Sequence, residues 1–76
     1  MQRYHFDLVV DGKMSIDDTG AEFAGDTAAE KQAELGLAEM AYELVQRGAK
    51  QMQILVRTED GDRICEVEAR WTVTRH

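Results

Sequence analysis

Proline is absent from this 76-residue chain, and cysteine occurs once. Nothing reads as an interdomain linker or a low-complexity tract. The lone Cys65 rules out an intramolecular disulfide and cannot by itself build a cysteine-rich zinc site, so packing must supply the stability. Long apolar runs are missing too, none approaching the roughly 18 residues that cross a bilayer. The opening Met1-Gln2-Arg3-Tyr4-His5 lacks the apolar stretch and cleavage site of a secretory leader, and the expectation is a cytoplasmic protein. Basic residues are few and scattered, nine against fifteen acidic, for a net charge of −6. Affinity for nucleic acid comes from clustered Lys and Arg releasing counterions, so nucleic acid and anionic membranes are poor partners. A protein partner is expected instead, either a second copy or a basic protein.

What is present is ordinary for a folded domain: 43% apolar and 32% charged residues. A chain this short buries only about 60% of its unfolded surface. The expectation is therefore a single small α+β domain over residues 1–76.

Periodicity predicts four strands and one helix in the order ββαββ. Tyr4, Phe6 and Leu8 alternate with Arg3, His5 and Asp7, the pattern of a half-buried strand over 3–10. Asp11-Gly12 turns the chain into a short strand over 13–16. A two-residue loop there would put Met14 and Ile16 on the polar side of the first strand. A three-residue loop, Val10-Asp11-Gly12, pairs Leu8 with Met14 and Phe6 with Ile16, and is the expectation. The second hairpin reads the other way. A two-residue Asp60-Gly61 loop pairs Val56 with Cys65, Ile54 with Val67 and Met52 with Ala69, placing both apolar rows on one face. Its strands are expected over 51–58 and 62–74.

Between the hairpins, Ala33, Leu37, Met40, Ala41 and Leu44 recur at helical spacing, predicting one amphipathic helix over about 28–47 on one face of an antiparallel sheet of two hairpins. Thr27 with Glu30 fits a capping box, and Gly48 ends the helix. Ala29, Ala33 and Gly36 are small enough to let the helix lie close to the sheet.

The opening Met1-x-Arg3-Tyr4-x-Phe6-x-Leu8, the Asp11-Gly12 turn, the Asp17-Asp18-x-Gly20 loop and the Asp60-Gly61 hairpin together resemble a family of short bacterial proteins known only as a domain of unknown function. The resemblance covers nearly the whole chain. Where members of that family commonly carry proline at the second position, this chain has Gln2. The resemblance implies no activity, cofactor or catalytic residue.

Several residues invite chemistry. Asp18-Thr19-Gly20 matches the active-site tripeptide of aspartic proteases, but Asp17 stands where those enzymes have an apolar residue, and no second apolar-apolar-Gly loop is present; a polar turn accounts for the residues. His5 and Asp7 share a strand face and, with His76, form the only cluster resembling metal ligands, but His76 is a fraying terminus and a solvated sheet face accounts for them better. Cys65 falls on the core row, as a small hydrophobe. No paired acid and base, activated nucleophile or phosphate cradle is visible, so no cofactor is implied.

With one helix, one sheet face stays open, and His5, Asp7, Val9, Leu55 and Arg57 lie on it. Trp71 lies beyond the reach of the third strand, where it closes the core or meets another chain. These six residues are the candidate interaction surface of a non-catalytic interaction or accessory module, such as a homodimer, using its open sheet face or edge. Charged residues at Val9 and Leu55 should then abolish association without unfolding the monomer. The alternative is a small enzyme or ligand-binding protein whose carboxylate site around Asp17 and Asp18 is assembled across a dimer.

Overall fold

The alternating opening segment becomes β1 (Gln2–Val10), the longest strand of a five-stranded antiparallel sheet. The structure, a computed structural model, describes residues 1–76. After β1 come β2 (Lys13–Ser15), β3 (Ala21–Phe23), α1 (Asp26–Gln46), β4 (Gln51–Thr58) and β5 (Arg63–Arg70). The α+β class, with one helix on an antiparallel sheet, is as expected. The additional strand, β3, lies where the sequence suggested a loop.

The sheet runs β2-β1-β4-β5, and β3 also pairs with β1. Tyr4 is flanked by Thr58 of β4 on one side and Ala21 of β3 on the other, so β2 and β3 share one edge of β1. β2 covers residues 8–10 of β1 and β3 covers residues 2–4. Opposite residues 5–7 that edge has no strand; the chain from Ile16 to Gly20 bows out there instead. β2 and β3 are two pieces of one broken edge strand.

The first hairpin corrects the expected register. Leu8 pairs with Ser15, Val9 with Met14 and Val10 with Lys13, leaving a two-residue Asp11-Gly12 loop. Both loop residues have positive φ, 48° and 85°, the requirement of a tight hairpin turn whose twist matches its strands. The burial argument failed because β2 lies outside the cover of the helix, and Met14 and Ile16 remain 52% and 56% exposed. The Asp11 carboxylate also leaves the hairpin, accepting hydrogen bonds from the Lys50 and Gln51 N–H groups at 3.0 Å.

In the second hairpin Val56 faces Cys65, Ile54 faces Val67 and Met52 faces Ala69, as the two apolar rows required. The turn itself is longer than expected. Thr58 N–H donates to the Asp62 carbonyl at 2.8 Å, closing a three-residue loop, and the register shifts so that Arg57 faces Arg63 and Ile64 is left over as a bulge. One extra loop residue is absorbed by one bulged residue, so the core register is unchanged.

The helix begins at Asp26, following Gly25, without a side-chain cap, so the expected capping box at Thr27 does not form. The Asp26 carboxylate instead accepts the buried Tyr4 hydroxyl at 2.7 Å, tying the first helical turn to β1. At the other end Gly48, at φ 93°, and Ala49 donate to the Val45 and Leu44 carbonyls, the paired bonds of a Schellman ending. Ala29, Ala33 and Leu37 are buried against Tyr4, Met52, Ile54 and Val56, with Met40, Ala41 and Leu44 partly buried beside them. α1 rests over β4 and β5 and reaches β3. A Cβ at Gly36 would meet only Ile54 Cδ1, at 4.0 Å, so close approach to the sheet does not require glycine there.

Two outcomes follow in urea unfolding. Gly36→Ala should stabilise by up to about 1 kcal/mol, the difference in helix propensity; a loss would mean that the flank of α1 is tighter than the open space at Gly36. Asp11→Ala should cost about 1 to 2 kcal/mol by orphaning two N–H groups and straining a positive-φ position, whereas Asp60→Ala, at the other Asp-Gly turn, should stay within about 0.5 kcal/mol.

Candidate functional site

β1 and β4 bring His5, Asp7 and Arg57 onto the sheet face away from the helix, as the alternation predicted. The expected solvated face is not found there. His5 and Asp7 are 6% and 2% exposed, because the Ile16–Gly20 bow folds back over them. Arg57 Nε donates to Asp7 Oδ2 at 2.8 Å and its Nη2 to Oδ1 at 3.3 Å, a two-toothed ion pair between adjacent strands.

Asp17 joins these groups. Its backbone N–H donates to Asp7 Oδ1 at 2.9 Å, and its carbonyl lies 2.8 Å from His5 Nδ1 while accepting from Arg57 Nη2 at 3.1 Å. Its carboxylate accepts from the N–H groups of Phe6, Thr19 and Gly20 at 3.0–3.1 Å. The Phe6 N–H is the donor that the break between β2 and β3 leaves without a strand partner. One side chain thus substitutes for a missing stretch of strand. Gly20 completes the return: its φ is +71°, and a Cβ there would lie 2.7 Å from the Tyr4 carbonyl oxygen.

His5 Nε2 lies 2.7 Å from Glu59 Oε1, so both ring nitrogens face groups that only accept. The arrangement is fully satisfied only by the imidazolium, with two N–H donors. The Glu59 contact and then the Asp17 carbonyl push the His5 pKa above 6.5, against burial and the nearby Arg57 charge. The Arg57 hydrogen bond holds Asp7 below 3.8 despite burial. Burial pushes Asp17 upward, but the Gly20, Phe6 and Thr19 N–H groups and the His5 charge outweigh it and carry the carboxyl below 3.8.

No buried side-chain nitrogen or oxygen lacks a partner, and no group of three His, Cys, Asp or Glu side chains is placed to hold a metal. Asp18 and Thr19 are exposed on the bow, and Asp17, the other carboxylate of the suggested pair, has its oxygens committed to backbone. Composition marked Asp17-Asp18-Thr19-Gly20 as a turn, but the partner of Asp17, a backbone group eleven residues earlier, left no sequence signal. Glu59 was missed for the same reason.

The other three candidates divide. Val9 is half-buried opposite Met14 and Gln53. Leu55, between Asp7 and Glu66, is buried at 6% exposure, so a charge placed there would unfold the domain instead of testing a surface. Trp71 lies apart from the rest. Its N–H donates to the Lys50 carbonyl at 2.8 Å, continuing the β4–β5 pairing by one residue. Its ring, 37% exposed, closes one end of an apolar groove of about 440 Å³ between α1 and β5, with Leu37, Ala38, Ala41, Val67 and Ala69. A smaller hollow of about 260 Å³ lies on the other flank of α1, by Phe23, Met40 and Gly36. Cys65 packs against the core, and burial, then Glu30, Asp26 and Glu34, push its thiol pKa up and away from nucleophilic use. No helix is long and apolar enough to cross a membrane.

The His5 and aspartate shifts set opposite limits on stability. Asp7 and Asp17 stabilise above 3.8 and lose that contribution as pH falls through their lowered values; His5 contributes below 6.5 and loses it as pH rises through its raised value. Thermal unfolding should therefore be most resistant between about pH 4 and 6.5. His5→Gln should flatten the fall above that range and, by removing the charge beside Asp17, change the acid limb less; an unchanged alkaline slope would remove His5 as its cause.

A family model described as Domain of unknown function (DUF6894) matches residues 3–70. Comparison with curated proteins and with solved structures finds no match.

Proposed function

The chain belongs to the family described as Domain of unknown function (DUF6894), which brings no activity with it, and we propose that it is a non-catalytic interaction module that takes up an extended segment along β5. The observation that carries this reading is the state of β5. It is an edge strand of eight residues with no neighbour on its outer side. None of its residues is fully buried, and its helix-facing row, Cys65, Val67 and Ala69, is only partly covered, beside the groove that Trp71 lines. Unpaired backbone donors and acceptors next to an apolar groove are what strand addition uses: the backbone supplies affinity, and the groove selects alternate side chains.

The open face favoured by sequence gives way to the edge in this reading, because the bow around Asp17 already lies over His5, Asp7 and Arg57. The opposite edge of the sheet offers little, being split into strands of three residues each. Asp17 and Asp18 form no paired acid and base, which supports the non-catalytic side of the reading.

Selection of random linear peptides on the immobilised protein, followed by NMR titration, tests it. Selected peptides should shift the amides of residues 63–70 and the Trp71 indole, and Ala38→Trp, which fills the groove from its exposed rim, should weaken them about tenfold or more. Peptides whose shifts centre on β1 and the Ile16–Gly20 bow would overturn the assignment to β5.

A further inference from the structure

Resting on that reading of β5, we infer that the segment its edge takes up is β5 and the following residues of a second copy of this chain, paired antiparallel about a two-fold axis at Ala69.

Among axes that fall within β5 from Glu66 to Arg70, the charges choose the register. Side chains alternate between faces, so two copies that continue one sheet with both helices on the same side must be related by an axis through a residue. An axis at Glu66 or Glu68 sets that carboxylate against its own copy, and one at Val67 sets Glu66 against Glu68 of the second copy, twice. An axis at Arg70 opposes two guanidinium groups. Like charges directly across a ladder are destabilising. At Ala69 the small side chain meets its copy, and Glu68 faces Arg70 of the second copy, twice. Glu68 and Arg70 already pair within one chain at 3.0 Å, so the interface becomes a ring of four alternating charges.

The same register accounts for residues the monomer leaves in water. The alternation of β5, carried on through Trp71 and Val73 beyond the strand's end at Arg70, would extend its helix-facing row, and the two residues stay 37% and 75% exposed. In the dimer, Val67 faces Trp71 of the second copy and Cys65 faces Val73, so the alternation that outruns one sheet is buried by the other. Arg75, two residues further, falls opposite Arg63 of the second copy, a like-charge pair at the outer end of the ladder, past the Ile64 bulge, where pairing is interrupted. The helices fit as well. With α1 over β4 and β5 and strands about 4.8 Å apart, the two helices come within about 10 Å, the spacing of packed helices, with Ala38 on the facing flank.

Sedimentation velocity of the full chain, from micromolar to millimolar concentration, tests the inference. The mass should double from 8.6 kDa, with a blue shift in the emission of Trp71, the sole tryptophan. Glu68→Arg and Arg70→Glu each set like charges across the axis and should weaken association about tenfold or more. An equimolar mixture of the two variants should recover it, because each then faces its opposite; both sites are exposed, and circular dichroism should show both variants folded. A wild-type monomer throughout the range, a dimer that neither variant weakens, or a mixture no tighter than its components would overturn the inference. If the monomer still takes linear peptides along residues 63–70, only the second copy is wrong; if it takes none there, the reading of β5 falls too.

Discussion

The Asp7–Arg57 pair and the Asp17 residue locked onto it hold the sheet together where its hydrogen-bond ladder is interrupted. β1 and β4 both have neighbours along two edges, but only β1 has one of them broken, opposite residues 5–7. An unpaired amide enclosed by protein costs about 1 to 3 kcal/mol. The Asp17 carboxylate removes that cost at Phe6, and the backbone of Asp17 satisfies Asp7, Arg57 and His5 at once. Because Arg57 is fifty residues from Asp7, the bow is fixed only when β4 has docked on β1. Local turn, sheet and charge network therefore depend on one another.

That dependence separates the polar knot from the surface proposed for binding. The knot is satisfied at every buried side-chain polar atom, and a satisfied network rigidifies more readily than it reacts. β5 is the reverse: half-buried side chains, a free backbone edge and a groove, on the outer strand beyond the β4 that supplies Arg57 to the knot. In a chain whose core holds few large side chains, Tyr4, Met52 and Val56 being the largest fully enclosed, apolar surface left open along β5 is a substantial share of what remains to be buried.

Sequence reasoning succeeded where both partners of a contact carried the pattern. The rows Met52-Ile54-Val56 and Cys65-Val67-Ala69 each alternate, and only one register puts them on the same face, so the β4–β5 pairing was legible even though its loop was a residue too short. The first hairpin failed because Met14 and Ile16 were taken as buried, when the helix that would bury them lies over β4 and β5. Thr27 and Glu30 fit a local cap, but the Tyr4–Asp26 bond, made across twenty-two residues, accompanies an earlier start. His5, Asp7 and Arg57 were correctly placed on one face; that this face is enclosed depends on Asp17 standing in for strand, which leaves no periodicity to read.

The two edges of this sheet are unequal. One is a continuous eight-residue strand, and the other is cut into two three-residue pieces by a carboxylate that occupies the gap. Long, uninterrupted edges on both sides would let copies stack indefinitely into a fibril, each addition exposing a fresh template. Here the β5 pairing proposed above would consume the only long template, and what it would leave at either end is a broken border. Assembly along the sheet by the proposed β5 pairing would thereby be self-terminating, with Asp17 a chain stopper for polymerisation as well as a staple within the fold.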